Sequence, residues 1–390
     1  MSLTSGEVGS AVIGSDHVDW VCKYLQVKTN LINEDLLNSI LTGNFQNPMV
    51  RVYSEDATTG VQTEIVGMSF ISIRNNKRST KGTFSATLKP EKLGASYTTL
   101  YETELPANNT KYFVVKAGYI FEGSEILVPI LKGVIKDRRP TYGRASTSIN
   151  FNGFDFAELL DQTIGVFNGY ATAKTLMTYV LNLAGLNAAD FSQFTDFSIS
   201  GVDFNNNTGL EVVERLSTYK GEFTFYFSGA GTLVVKDLPT DTDSKYTYPS
   251  TNLQGFSPTS SSRDKITEVV INGTNVAITR QTDSTDRAKW GGINRVNLQN
   301  SIITTTSAAE TAGDNLINES RKEKGSFNAV YNPFLYIDDI ITTDFADSGD
   351  TKYRIEGVTH TFRATDNTLS TRSRLAVEDV DYTAPTITTV

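Results

Sequence analysis

The stretch "NGFDFAELLDQ" places acids at Asp155, Glu158 and Asp161, every third residue. On a helix that spacing puts them along one face. Two carboxylates held apart across a sugar are the machinery of glycoside hydrolysis, one as acid and one as base or nucleophile. Nothing in the pattern singles out such a pair. A cap at Asp155 and a solvated face opposite Leu159 and Leu160 account for all three. A nucleophilic hydrolase needs a base, and the chain has two histidines, His17 and His360. His17 lies in "GSDHVDW", and His360 in the alternating run "YRIEGVTHTF". No G-x-S-x-G elbow accompanies either. Strand parity groups His360 with Arg354, Glu356 and Val358 on a polar or interface face. The reading is therefore a non-enzyme with no catalytic residue, and His360→Ala is expected to change assembly or stability at most.

Cofactor and metal chemistry are equally thin, and none of either is expected. The single cysteine, Cys22, gives no thiolate zinc site and no disulfide within the chain. "DTDSK" (241–245) and "DSTDR" (283–287) begin like calcium loops but do not continue to the closing glutamate; polar turns explain them. "YIDDIITTDF" offers a rim of carboxylates or, more simply, solvated strand-edge acids. No phosphate-cradling loop is present, since "SGAG" at 228–231 joins two strands and reads as a turn. Lys132, Lys136, Arg138, Arg139 and Arg144 form a basic cluster, either a surface for an acidic partner or a solvated loop.

The 390 residues, 39% hydrophobic and 20% charged, suit a soluble chain of two to four domains. Tyr and Phe together number 38, which with abundant Thr, Ser, Asn and Gly favours strands and turns. No apolar run reaches the roughly 18 residues of a membrane helix, and the N-terminus does not read as a secretory signal. Net charge is −9, unevenly spread. Residues 1–145 carry 16 basic and 14 acidic side chains, and the remainder 19 and 30. An acidic surface does not bind phosphate backbones, but like charge keeps a passing polymer off a wall.

The elements follow in order. Residues 1–44 form an N-terminal arm with a strand at 20–27 and a short helix at 33–43. Residues 45–150 hold six or seven short alternating strands, a barrel or sandwich. Three of these fall in "KYFVVKAGYIFEGSEILVPILKGVIKDRRP". Residues 151–238 are an α+β insert. Its first helix carries Phe156, Leu159, Leu160 and Ile164 inward and stops at Gly165. Its second carries Leu176, Tyr179, Val180 and Leu183, and its third Leu210, Val213 and Leu216. A hairpin through "GAG" follows. Residues 239–265 are a linker loop. Residues 266–382 return to β, with a hairpin at Asn272-Gly273, a helix with Ala308, Ala312 and Leu316 inward that runs to Gly325, and a closing hairpin tipped at Asp366-Asn367. Residues 383–390 are a C-terminal tail. The fold class is mainly β with an α+β insert.

The order of these pieces resembles the baseplate hub proteins of contractile phage tails, the family of late-control-type tail proteins and of the hub part of type VI secretion spikes. The resemblance covers roughly residues 45–380. "YIFEGSEILVPILKGVIKD" is similar to the family's strand-turn-strand, with Leu131, Gly133 and Val134 at the turn. "INFNGFDFAELLDQTIG" resembles its step from the first barrel into a helix. "GLEVVERLSTYKGEFTFYFSGAGTLVVKDL", "DKITEVVING", "SAAETAGDNLINESRKEKG" and "KYRIEGVTHTFRATDNTLSTRSRLAV" resemble the later pieces. The family's P-G-D turn reads here as "YIDD" (336–339), a departure. The resemblance implies two tube-like β-barrel domains, at 45–150 and 266–382. It implies a homotrimer forming a pseudo-six-fold ring, a symmetry adaptor between the hexameric tail tube protein and the trimeric central spike protein. Baseplate wedge proteins are further implied partners, with DNA only passing through the lumen and no membrane insertion. The implied place is the tail baseplate of a virion, assembled in the host cytoplasm. A tail-associated glycan hydrolase or carbohydrate-binding β-protein is the competing reading.

Overall fold

The computed structural model describes residues 48–77, 81–89, 103–121, 124–142, 147–165, 169–199, 204, 206–220, 223–238, 246–248, 253–259, 264–346, 349–365, 368–380 and 382–390. The N-terminal arm, with His17, Cys22 and its strand and helix, lies outside the described residues. So do "DTDSK", Arg144, the Asp366-Asn367 tip and most of the 239–265 linker.

The first β segment supplies β1 (Pro48–Asp56), β2 (Gln62–Glu64), β3 (Met68–Asn76), β4 (Thr83–Leu88), β5 (Lys111–Phe121), β6 (Ser124–Tyr142) and β7 (Thr147–Asp155). Alternation drives them: Phe84, Ala86 and Leu88 are buried while Thr83 and Ser85 are exposed. Where three strands are expected between Lys111 and Pro140, there are two, because β6 runs 19 residues without a turn. Gly133 is a strand residue under a close neighbour, not a turn. A Cβ there would stand 2.3 Å from the Phe154 carbonyl oxygen.

The insert forms a small sheet of β8 (Ala189–Gln193), β10 (Leu233–Asp237) and β9 (Phe223–Phe227), in that order. Its helices are α1 (Ala157–Gln162), α2 (Ala173–Leu183) and α3 (Gly209–Lys220). Leu160, Leu176, Val180, Val213, Leu216 and Phe223 are fully buried in one core. Each contributes about 1.5–3 kcal/mol on burial. Two inward assignments fail at helix ends. Ile164 lies past the end of α1 and is 75% exposed, and Leu183 in the last turn of α2 is 45% exposed.

The second β segment divides between two sheets. β13 (Glu268–Asn272), β14 (Ala277–Thr282), β15 (Arg295–Gln299) and β20 (Ile387–Thr389) make a four-stranded sheet, ordered β15-β13-β14-β20. The expected tail thus supplies an edge strand. In the β13–β14 turn the left-handed residue is Asn275, φ 62°. Helix α5 (Thr306–Arg321) packs on this sheet through Ala309, Ala312 and Ile317, with the expected Ala308 and Leu316 half-buried against the same core. It ends before Lys322, and Gly325 belongs to the next strand. "DSTDR" is the start of α4 (Ser284–Lys289), where the Asp283 carboxylate caps Asp286 N at 2.9 Å.

The remaining strands are β11 (Tyr246–Tyr248), β12 (Leu253–Thr259), β16 (Lys324–Ala329), β17 (Ile340–Ala346), β18 (Gly349–Thr365) and β19 (Thr368–Asp379). They join the first segment in one 13-stranded sheet, ordered β12-β16-β19-β18-β3-β4-β7-β6-β5-β1-β2, with β17 and β11 branching from β18. Among the described residues no pairing closes either segment into a barrel; β3 and β18 make them continuous.

Candidate functional site

Where the two segments meet, Lys77, Asp338, Arg354 and Glu378 are buried together. β18 pairs along one edge with β19. Its other edge serves two strands in tandem. β17 pairs from Ile340↔Arg354 to Ala346↔Gly349, and β3 from Gly357↔Asn76 to Arg363↔Phe70. Between them is a bulge at Glu356, since Ile355 faces Val377 and Gly357 already faces Ala376. The Glu356 carbonyl accepts from Lys77 N at 2.8 Å, and the Ile355 carbonyl accepts from Asp338 N at 2.8 Å. The end of β3 and the lead into β17 therefore abut on one strand. Asp338, within "YIDD", has φ 68°, a left-handed conformation that costs an L-residue about 1–2 kcal/mol.

The side chains here balance. Lys77 Nζ lies 3.1 Å from Glu378 Oε1 and 3.6 Å from Asp338 Oδ1. Lys322 Nζ lies 3.3 Å from the same Glu378 oxygen and 2.5 Å from Glu319 Oε1. Arg354 Nη1 stands 3.6 Å from Glu378, and Lys236 Nζ 3.7 Å from Asp338 Oδ2. The side chains of Lys77 and Glu378 are only 2% and 1% exposed. Burial works against the Glu378 charge, but Lys77 and Lys322 outweigh it and hold the carboxyl at about 2. Burial, then the Glu378 charge, pushes Glu356 upward, and the two share a hydrogen bond. Glu319, Glu356 and Glu378 are the group of three carboxylates that could hold an ion among the described residues. The Lys322 ammonium already bridges two of them, so the donor set is neutralised from within. Through Glu378 the arrangement ties β18 and β19 to the residue that follows β3 and to the end of α5.

His360 is not on the polar face that parity assigns. The bulge at Glu356 shifts the alternation by one, so Tyr353 and Ile355 are buried before it and Val358, His360 and Phe362 after it. His360 is 3% exposed. Its ring meets Tyr331 edge-on at 5.3 Å, and Nδ1 shares a 3.0 Å hydrogen bond with Ser373 Oγ. Burial pulls its pKa down to about 4, so the ring is neutral.

The three acids of "FDFAELLD" are not one solvated face. Asp155 ends β7 and is buried, its oxygens accepting from Gly82 N at 3.0 Å and Ala157 N at 3.1 Å. Residue Phe156 takes the cap position. Burial lifts the Asp155 carboxyl to about 7 against those two N–H donors. Glu158 is clamped by Lys81 at 2.5 Å and Lys136 at 2.8 Å, and Asp161 by Lys81 at 2.5 Å. Of the basic cluster, Lys132, Lys136 and Arg138 are engaged within the fold, on strand β6 instead of a loop, while Arg139 on the same strand is exposed. Lys132 pairs with Glu55 at 2.5 Å, and Arg138 donates to the Leu105 carbonyl at 3.0 Å. In "YIDDIITTDF", Asp338 is not part of an edge rim either. Asp338 is buried, and β17 lies between β11 and β18.

Sequence reasoning passed over Lys77 and Glu378, and read Asp338 only as part of an acidic rim or an altered turn. The one available signal is their position at strand ends, where a charge breaks alternation in "RNNKR" and "AVEDV".

No family model matches the chain, and no curated protein does. Solved structures do match. A tail protein from Neisseria meningitidis MC58 superimposes with a TM-score of 0.63 at 11% identity, covering 85% of this chain and 97% of that one. The 43 kDa tail protein of prophage MuSo2 from Shewanella oneidensis gives 0.58 at 17% identity, covering 84% and 98%. The E. coli c3393 protein, described as a type VI secretion component with similarity to T4 tail proteins gp27 and gp5, gives 0.52 at 12%, covering 85% and 77%. The chain thus has the fold of phage tail proteins and of a related secretion component. No helix among the described residues is long and apolar enough to cross a membrane.

Proposed function

We propose that the protein is a structural baseplate hub of a contractile phage tail or tail-like injection machine. In this reading three copies form a pseudo-six-fold ring that joins a hexameric tail tube to a trimeric central spike, with baseplate wedge proteins around it. The two β segments act as two tube-like halves, cargo passes through the lumen, and the insert between them meets spike or wedge proteins. The proposed domain limits are 45–150, 151–238 and 266–382, and the proposed place is the virion tail, after assembly in the host cytoplasm.

The observation that carries this reading is the single sheet running through both segments, locked by a buried ion network at their seam. A ring wall under load needs such continuity, and a tail-protein fold supports it. A trimer of two-segment subunits also matches six-fold to three-fold symmetry by simple closure. Cryo-electron microscopy of the assembled particle tests the proposal. A three-fold ring of this chain beneath a six-fold tube is expected; a peripheral position, or a ring of other symmetry, overturns it.

A further inference from the structure

We propose that Lys77 and Asp338 condense to an intramolecular amide, an isopeptide cross-link, with Glu378 as the catalytic residue that moves the proton. The three side chains meet at the seam almost without exposure: Lys77 2%, Asp338 0% and Glu378 1%. Lys77 Nζ stands 3.6 Å from Asp338 Oδ1 and 3.1 Å from Glu378 Oε1. Reacting atoms are poised at roughly 3–3.5 Å, and holding them there replaces a bimolecular encounter. An amine, a carboxyl and a carboxylate base, closed off from water, are the groups that the condensation needs.

Asp338 carries a separate observation. Neither of its oxygens has a hydrogen-bond partner, although the side chain is fully buried. Asp155, also buried, accepts from two backbone N–H groups. A buried carboxylate without hydrogen bonds is costly and calls for an explanation. The Asp338 backbone is also held at φ 68°, and strain of this kind collects where a group is positioned for chemistry.

The step balances within the chain. Burial disfavours both charges, so one proton passes from the Lys77 ammonium to Asp338 Oδ1, leaving an amine and a neutral carboxyl. The Nζ lone pair attacks Cγ and the Nζ–Cγ bond forms. Glu378 accepts a second proton from Nζ and returns it to Oδ1, the Cγ–Oδ1 bond breaks, and one water leaves. Lys236 Nζ, 3.7 Å from Oδ2, faces the oxygen on which negative charge develops. Lys322 and Arg354 stay with Glu378, so the amide removes one buried cation and one buried anion together. The reaction runs once in each chain and turns over no substrate. It joins the residue after β3 to the lead into β17, whatever the chain assembles into.

Intact-mass spectrometry of the denatured full chain tests it. The expected mass is that of the sequence less one water, and a protease digest is expected to yield a branched peptide joining Lys77 to Asp338. Lys77→Arg keeps the charge but cannot form this amide, and is expected at its full sequence mass. Glu378→Gln cannot take the proton and is expected to form the bond about a hundredfold more slowly or not at all. Circular dichroism checks that both variants fold. A parent chain at full mass overturns the proposal. So does a deficit that persists in Lys77→Arg, or one confined to a single linear peptide. A folded Glu378→Gln chain with the complete deficit overturns the role of Glu378.

Discussion

Lys77 and Lys81 stand four residues apart, both between the end of β3 and the start of β4, and do different work. Lys77 is withdrawn into the seam between the two β segments, against Glu378 and Asp338. Lys81 is 24% exposed and ties the large sheet to α1 of the insert through Glu158 and Asp161. Both centre on a lysine bridging two acids at ion-pair distance, so pair count does not separate them. Burial does. A buried pair gains strength from low dielectric but leaves an intolerable charge when one partner is removed, whereas a half-exposed pair is replaced by water.

The largest effect is therefore expected at the seam. Glu378→Gln leaves Lys77, Lys322 and Arg354 without their common counter-charge. It should lower unfolding free energy by about 3–5 kcal/mol, read from urea midpoints. A cost no greater than that of breaking the Lys81 cluster would show that burial does not rank these sites.

Proton linkage separates the seam's neighbourhood from the insert's in a second way. His360, packed in the large sheet, titrates near 4 in the fold and near its ordinary 6.5 when unfolded. The unfolded chain binds more protons in that window, so its contribution is lost as pH falls from about 6.5 to about 4. Asp155, at the insert's root, has the opposite sign. Its folded value near 7 exceeds the unfolded 3.8, so the fold binds more protons and stability is lost as pH rises through that range. The two slopes oppose each other between about pH 4 and 6.5. Urea midpoints at pH 4.5, 5.5 and 6.5 should show it. His360→Phe is expected to become relatively more stable toward the acid end, and Asp155→Asn relatively less stable there, each compared with the parent chain. Parallel profiles for both variants would refute the assignment.

These two residues also mark how far the sequence is legible. Periodicity locates the insert's helices and hairpin, because Leu210, Val213 and Leu216, or the alternation of Phe223, Phe225 and Phe227, are local signals. Local signals do not report a bulge. One extra residue at Glu356 inverts the parity of everything after it, which turns His360 from a surface residue into a core one. Nor do they report partners far along the chain. Lys77 and Glu378 are 301 residues apart, and nothing near either one announces the other. The same reasoning misplaces Glu158. A carboxylate on a short helix reads as solvated until Lys81 and Lys136 arrive from two other elements to bury it.

The Lys81 cluster should give a smaller loss. Lys81→Met removes one of two cations on Glu158, and Lys136 remains at 2.8 Å. Partial exposure lets water solvate Asp161. The expected cost is about 1 kcal/mol or less, again by urea unfolding. A loss comparable with that of Glu378→Gln would make the insert's attachment, not the segment seam, the critical joint.

Arg51 supplies the exposed limit of the same geometry. It sits on β1 and pairs with Glu64 on β2 at 2.8 Å and with Glu125 on β6 at 2.6 Å, shorter than the contacts Lys77 makes. Pair length alone would rank it above the seam. The arginine and both acids are about a third or more exposed, so solvent screens the attraction and replaces either partner at little cost. Arg51→Ala is therefore expected to leave the urea midpoint unchanged within error, both at low salt and in 0.5 M NaCl. Glu378→Gln is expected to stay destabilised in both, because a seam charge lies beyond the reach of mobile ions. A salt-sensitive loss at Arg51 would mean that β2 depends on this pair for its place at the sheet's edge. The contrast between the exposed edge and the buried seam would then rest on strand attachment rather than on solvation.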